Sequence, residues 1–103
     1  MDKRITHTAR YQLSVFLKSQ FCIELPIDTT DVGILNIIAD FMDSGDYQTC
    51  FAKYPRIASI CHIHVTNFKK RLHKLVSLGL ITRQRSRTFC CITFSDLIKN
   101  YCE

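Results

Sequence analysis

Residues 54–81, YPRIASICHIHVTNFKKRLHKLVSLGLI, contain two helical patterns separated by three residues. The first pattern predicts a short helix over residues 54–60, with Pro55 in its opening turn, where the missing backbone N–H costs no hydrogen bond. The second pattern predicts a longer helix over residues 64–78, and it stops at Gly79, a residue typical of helix ends. We therefore expect a short helix, a tight turn and a longer helix.

Apolar side chains on the two patterns predict how these helices pack. In the short helix, Ile57, Ala58 and Ile60 are expected to face inward. In the long helix, a helical wheel separates an apolar side from a polar and basic side. The apolar side holds Val65, Phe68, Leu72 and Leu75, and the polar side holds Thr66, Lys70, His73, Lys74 and Ser77. The long helix should therefore bury one side and expose a basic one.

Two runs after the long helix alternate as β-strands do. They cover residues 80–84 and 88–94 and flank a turn at residues 85–87, which predicts a hairpin. Side chains two residues apart on a strand point to the same side. The residues expected to share one side of this hairpin are Arg83, Arg85 and Arg87.

The segment before the helix pair predicts a central helix. Residues 28–31, with the sequence DTTD, supply capping groups for its start, and Ser44 and Gly45 mark its end. Its main apolar positions are Val32, Leu35, Ile38, Ala39 and Met42, while Ile34, Ile37 and Phe41 make much of the remaining circumference apolar. Since apolar residues occupy so much of its surface, we expect this helix to be the scaffold of the fold.

Shorter patterns lie at the two ends of the chain. Residues 11–17 fit both a strand and a helix, of which we favour the helix. Residues 21–25 alternate up to Pro26 and predict a short strand. Ser95 is the predicted N-cap of a last helix over residues 96–102. The chain is thus expected to be one domain, divided into an N-terminal extension at 1–27, a core at 28–94 and a C-terminal helical segment at 95–103.

Charge is distributed unevenly along the chain. No Asp or Glu lies between Asp46 and Asp96, whereas this window contains nine of the fourteen Lys and Arg residues. The formal net charge of the whole chain is +5. A folded block with charges of one sign favours a polyanionic partner such as nucleic acid. The acids outside the window are expected to face away from that partner.

These elements together resemble the winged helix-turn-helix domains of plasmid and phage replication initiators and related bacterial regulators. Three stretches carry the resemblance: a leading helix at 32–43, the Thr49-Cys50-Phe51 segment, and residues 57–81, which fit the helix-turn-helix without a gap. The resemblance implies a mainly α fold with a small β-hairpin wing. The helix-turn-helix would occupy about residues 54–78 and the wing residues 80–94.

Two histidines depart from the pattern of that family. His62 stands where a turn glycine is common, so we expect it to adopt a positive φ. His64 stands where a Ser or Thr N-cap is usual, so the start of the long helix is expected to be either weaker or capped by an imidazole.

The resemblance and the charge pattern predict which residues would contact duplex DNA. The long helix would enter the major groove, where Thr66 and Asn67 would contact bases. The basic residues would contact phosphates or, from the hairpin, the minor groove. They are Lys69, Lys70, His73 and Lys74 on the long helix, Lys53 and Arg56 at the short helix, and Arg83, Arg85 and Arg87 on the hairpin.

The sequence thus predicts a sequence-specific double-stranded DNA-binding protein of the bacterial cytoplasm that regulates plasmid or phage replication or transcription. One monomer offers few base contacts, so a homodimer is expected, with residues 11–25 and 96–102 as candidate dimer elements. Two alternatives remain open. The same surface would suit a protein-interaction module that binds an acidic partner, and the cysteines would suit a thiol- or metal-responsive regulator.

Other classes of function are not favoured by the sequence. The basic block has no carboxylate to serve as a base and no glycine-rich phosphate loop, so an enzyme is not expected. Residues 1–17 suggest neither a signal peptide nor a membrane span. The six cysteines are expected to be free thiols, mostly buried. Cys61, His62, His64 and His73 lack the spacing of a zinc site, and neither a cofactor nor a small-molecule ligand is expected.

Cys90 and Cys91 are expected to point to opposite faces of a strand, which disfavours a bond between them. Among the aromatic residues, only Tyr47, Tyr54 and Phe89 are considered as surface contacts, and core positions are favoured even for these.

Overall fold

The computed structural model describes residues 8–19, 23–44, 49–85 and 90–99, apart from the side chains of Arg85 and Cys90. Within these ranges the chain is mainly helical and carries one antiparallel hairpin of two strands, as the sequence predicted. The elements are α1 (Ala9–Leu17), α2 (Thr29–Ser44), α3 (Tyr54–Ile60), α4 (Val65–Ser77), β1 (Ile81–Arg85), β2 (Cys90–Phe94) and α5 (Asp96–Lys99). None of the helices in the described ranges is long and apolar enough to cross a lipid bilayer.

Helix α2 is the central helix that the apolar pattern predicted. Its start is fixed by a reciprocal capping box, in which the Asp31 N–H donates to Asp28 Oδ1 at 2.9 Å and the Asp28 N–H donates to Asp31 Oδ2 at 3.2 Å. Its buried apolar residues are Ile34, Leu35, Ile38, Ala39 and Met42. Because helices α1 and α3 and strand β2 all pack against it, α2 forms the middle of the core.

Helices α1 and α5 pack into the hydrophobic core, so the predicted core at 28–94 does not contain all of it. Leu13 and Phe16 of α1 and Ile98 of α5 are fully buried. The Asp43 carboxylate at the end of α2 accepts the backbone N–H of Ala9 at 2.6 Å, which ties the first turn of α1 to the scaffold. The residues that would provide a dimer contact here are therefore already committed, in large part, to intramolecular packing.

The predicted strand at residues 21–25 is not a strand where the structure describes it. The Ile23 N–H donates to the Ser19 carbonyl at 3.3 Å, and the Ile27 N–H donates to the Leu25 carbonyl at 2.9 Å. The backbone thus forms local turns, while the side chain of Ile23 is 69% exposed. Alternating apolar residues misled the prediction because a strand also requires a neighbour to accept its ladder hydrogen bonds. Phe21 lies outside the described residues.

The turn between α3 and α4 has the backbone conformation that the sequence predicted. His62 has a φ of 60°, and the Ile63 N–H donates to the Ala58 carbonyl at 3.1 Å, which closes the turn. His64 is the N-cap of α4, and its Nδ1 accepts the Thr66 N–H at 3.1 Å. The positive φ and the imidazole cap are both confirmed.

The prediction that Ile57, Ala58 and Ile60 of α3 face inward is wrong at one position. Ile57 and Ala58 are buried, but Ile60 is 42% exposed. A helix of seven residues makes only about two turns, so its last residue can lie beyond the edge of the surface that its neighbours cover.

The hairpin is shifted slightly from its predicted position. Ile81 pairs with Phe94 and Arg85 pairs with Cys90, so β1 extends one residue beyond the predicted end of the first strand. Residues 86–89, including the predicted strand start at Thr88, lie outside the described residues. Cys50 forms an antiparallel bridge to Ile92, through N–H to carbonyl bonds of 2.9 and 3.0 Å in the two directions. This bridge attaches the segment before α3 to the hairpin.

Ser95 directly precedes the last helix, which begins at Asp96 as predicted. Its hydroxyl donates to the Gly79 carbonyl, while its own carbonyl accepts the N–H groups of Ile98 and Lys99 at 3.1 Å. Gly79 has a φ of 78°, the left-handed conformation expected after a helix end. The Ser95 side chain therefore joins the end of β2 to the turn after α4. Residues 100–103 lie outside the described residues.

Candidate nucleic-acid interface

Helix α4 presents the two sides that its sequence predicts. Phe68, Leu72 and Leu75 are fully buried against the core. Opposite them lies an exposed polar side, which we call the α4 basic face; it consists of Thr66, Asn67, Lys69, Lys70, His73 and Ser77. None of these six residues is acidic, and two of them, Lys69 and Lys70, are lysines, so the charge of this face is positive. The face is therefore suited to an anionic surface.

The first turn of α4 is held by the core and by its cap. The Tyr54 ring of α3 meets the Phe68 ring edge-on, with centroids 5.4 Å apart and planes at 61°. Because Phe68 is buried and His64 caps the helix, the exposed Thr66 and Asn67 are carried on a backbone fixed from both sides. The two predicted base-contact residues thus lie on a rigid support.

Lys53 and Arg56 lie at the start of α3, where the sequence placed them. Lys53 is the exposed N-cap residue of this helix. Arg56 is exposed too, but its guanidinium carbon lies 5.4 Å from the centroid of the Phe41 ring on α2, a cation–π contact. Arg56 therefore lies against α2. The side chain of Lys53 makes no capping hydrogen bond.

Arg83 lies on the side of the hairpin that faces the core. Arg83 pairs with the buried Ile92 and follows the buried Ile81 by two residues, so its side chain starts from the inner face of the hairpin. It is half-buried, and its Nη1 lies 3.5 Å from the Tyr54 hydroxyl. Arg83 therefore reaches toward α3 and the start of α4. The Arg85 side chain and the whole of Arg87 lie outside the described residues.

The aromatic residues on the surface differ from those considered from the sequence. Tyr54 is half-buried, whereas Phe51 is 49% exposed and Tyr11 is 38% exposed. The restriction of surface aromatics to Tyr47, Tyr54 and Phe89 is thus wrong for Phe51 and Tyr11. Tyr47 and Phe89 lie outside the described residues.

A cluster of four charged side chains on one flank of α4 was not foreseen. Arg71 Nη1 lies 2.9 and 3.0 Å from the two Asp28 oxygens and 3.2 Å from Asp31 Oδ1. Lys74 Nζ forms an ion pair with Asp31 Oδ2. Asp31 is fully buried, so two cations compensate its desolvated charge. We call Asp28 and Asp31 the aspartate pair.

The aspartate pair corrects two expectations. The acids before residue 46 were expected to face away from the basic surface, yet Asp28 and Asp31 contact α4 directly. Lys74 was grouped with the phosphate contacts, yet its ammonium is paired with a buried carboxylate. Arg71, absent from the predicted contacts, shares this flank. No sequence signal connected these residues, because 43 positions separate Asp28 from Arg71.

The charged cluster opens into a shallow groove beside the α4 basic face. The groove has a volume of about 450 Å³ and is lined by Asp28, Asn67, Lys70, Arg71 and Lys74. It therefore places a predicted base-contact residue and a predicted phosphate-contact residue next to the ion pairs. Three of its five lining residues are cationic, so its net charge is positive.

The ion pairs shift the titration of two groups. The Asp31 N–H, and then Arg71, hydrogen-bond the Asp28 carboxylate and lower its pKa from 3.8 to about 2. The hydrogen bonds to Asp28 and then Asp31 raise the pKa of Arg71 above its ordinary value. The charged forms of both residues are therefore favoured in the folded protein.

Protonation of Asp28 in acid should lower the free energy of unfolding, and Asp28→Asn should remove this contribution to the pH dependence. The folded pKa of about 2 lies below the ordinary 3.8, so the unfolded chain binds the proton first as the pH falls. The stabilisation is present above about pH 4 and is lost as the pH falls toward about 2. Urea unfolding over this range should show a shallower loss of stability for Asp28→Asn. An Asp28 carboxyl that titrates near pH 4 by NMR would contradict the assignment.

The structure describes the side chains of three cysteines, Cys50, Cys61 and Cys91. Cys50 is buried, whereas Cys61 and Cys91 are half-buried. Burial raises the pKa of the Cys61 thiol, which disfavours its reactive thiolate form. Among the residues that the structure describes, no three His, Cys, Asp or Glu side chains come together as a metal site.

Comparison with known proteins gives no relative. No family model, curated protein or solved structure matches the chain. A function for this chain is therefore inferred from the arrangement of its own residues.

Proposed function

We propose that this chain is a winged helix-turn-helix protein that binds double-stranded DNA sequence-specifically and regulates replication or transcription. Helix α4 enters the major groove, with Thr66 and Asn67 against base edges. Lys69, Lys70 and His73 contact the phosphate backbone and set the position of the helix.

The observation that carries the proposal is the α4 basic face. It is exposed along the full length of a helix whose opposite side is buried, so its side chains can approach a partner without unfolding of the core. An α-helix fits the major groove of B-DNA, and Asn can form two hydrogen bonds with adenine. The positive charges beside Thr66 and Asn67 would bring a polyanion to the residues that can read base edges.

The hairpin and α3 support the same mode of binding. Arg83 extends from β1 toward Tyr54, so its charge lies on the side of the hairpin nearest to α3 and α4. Lys53 provides another exposed cation at the start of α3. A duplex lying along α4 would therefore also meet positive charge near Tyr54, at the start of α3, which favours backbone contacts that fix its register.

Selection of bound duplexes from a random pool tests this proposal. We expect enrichment of a defined motif, and two-fold symmetry in it would indicate a homodimer that reads two half-sites about one helical turn apart. Asn67→Ala should keep general duplex affinity but lose the preference at one position of each half-site, by about 1–3 kcal/mol. Ser77→Ala, on the same exposed side, serves as a control at the other end of α4. Failure to enrich any motif would overturn sequence-specific binding and favour an acidic protein partner for the same face.

A further inference from the structure

We propose that the aspartate pair limits duplex affinity by holding Arg71 and Lys74 in internal ion pairs and so keeping them from DNA phosphates. The inference rests on the proposed function and deepens it. It assigns a binding role to Asp28, Asp31 and Arg71, residues that do not belong to the α4 basic face.

Carboxylate and phosphate compete for the same partners in this cluster. A guanidinium binds either anion with similar geometry, through charge-assisted hydrogen bonds. Arg71 already contacts both oxygens of Asp28 and one of Asp31, and Lys74 contacts the other oxygen of Asp31. A phosphate can therefore recruit these cations only by displacing the carboxylates or by accepting a weaker, shared contact.

The cluster lies where that competition would matter. Arg71 lines the same groove as Asn67 and Lys70, and about a third of its side chain is exposed. It is thus close to the predicted DNA contacts and accessible from the solvent. The Asp28 side chain is 55% exposed, so it sits at the mouth of the cluster, while Asp31 is fully buried beneath it.

The two carboxylates contribute differently to this arrangement. Asp31 is fully buried beside α4 and pairs with Lys74, so its removal would take the counter-charge from two half-buried cations and disturb the core beneath them. Asp28 is at the surface and mainly engages Arg71. Releasing Arg71 through Asp28 is therefore the change that tests the proposal with the least disturbance of the core.

The decisive variant is Asp28→Asn. Asparagine caps a helix as well as aspartate does, so its amide oxygen can still accept the Asp31 N–H and α2 keeps its start. Arg71 loses its charged partner at the surface and keeps its contact to Asp31 Oδ1 at 3.2 Å, so it is held less strongly and is more available to phosphate. One added phosphate contact raises the salt slope of the binding constant by about 0.9, which corresponds to a roughly tenfold gain at about 0.05 M salt.

Asp40→Asn is the matched control. Asp40 lies on the same helix, is 49% exposed and pairs with Arg10 of α1 at 3.2 Å, away from α4. Both substitutions change the net charge by the same amount. Only Asp28→Asn should produce the larger slope, and adding Arg71→Gln to it should remove the gain.

The experiment measures binding to a duplex of about 20 base pairs and arbitrary sequence, over a range of salt, after circular dichroism has verified folding. A gain in duplex affinity and salt slope that occurs in Asp28→Asn but not in Asp40→Asn, and that is lost when Arg71→Gln is added, supports the proposal. An equal gain in duplex affinity for Asp40→Asn, or no gain for folded Asp28→Asn, overturns the proposal. In either case, duplex binding by the wild type would leave the proposed function intact. If neither wild type nor Asp28→Asn binds duplex at low salt, both are overturned.

Discussion

Phe68→Ala is expected to lower the free energy of unfolding by about 3–5 kcal/mol. The side chain is fully buried and its ring meets the Tyr54 ring edge-on, so truncation removes apolar contacts from both α4 and α3 and leaves a cavity between them. Since a domain of this size is stabilised by only about 5–15 kcal/mol, the loss would remove a large part of its stability. Urea unfolding followed by circular dichroism measures the change.

Phe51→Ala is the control for that prediction. The same atoms are deleted, but Phe51 is already 49% exposed to water. The expected cost is therefore well below that of Phe68→Ala, because less surface returns to solvent and no enclosed cavity forms. Equal losses for the two variants would contradict the packing of α4 described above.

The helix pair was predictable because its signals are local. Pro55 and Gly79 mark a beginning and an end, and the buried residues of α4 repeat at helical spacing. The positive φ of His62 and the cap formed by His64 were also predictable, because each depends on a backbone position within the turn. Such features need no knowledge of distant neighbours.

The errors all concern surroundings that local sequence does not specify. Ile23 follows an alternating pattern, but no neighbouring strand pairs with it in the described part of the chain. Ile60 has the right spacing for burial, but it lies at the edge of what α2 and α4 cover. The side on which Arg83 lies depends on which face of the hairpin the core covers, and Ile92 decides that.

In the candidate site too, features set by local sequence were predictable and features set by tertiary contacts were not. The α4 basic face follows from helical spacing, and the exposure of Lys70 and Asn67 confirms it. The ion pairs of Asp28 and Asp31 depend on tertiary structure, since the start of α2 packs beside the middle of α4. As a result, Lys74 appeared from the sequence to be available for phosphate, although an internal carboxylate pairs with it.

Lys70→Glu is expected to weaken duplex binding by between about tenfold and a hundredfold at low salt. Lys70 is exposed on α4 and lines the groove beside Asn67, so the substitution removes a phosphate contact and introduces a like charge facing the DNA backbone. The salt slope should fall by about 1, while the fold is retained because the side chain lies in solvent.

Lys18→Glu provides the matched control. Lys18 is also exposed, but it follows α1, which packs against α2 and α5. The two variants change the net charge equally, so a general electrostatic effect would weaken both to a similar extent. A contact made by α4 would weaken Lys70→Glu far more.

The salt dependence of duplex binding by the wild type, Lys70→Glu and Lys18→Glu is the most direct test of the claim that α4 binds DNA. The predicted result is steeply salt-dependent binding by the wild type, nearly the same binding by Lys18→Glu, and weaker binding with a smaller slope by Lys70→Glu. No duplex binding by the wild type at low salt, or equal weakening of the two variants, would contradict the claim.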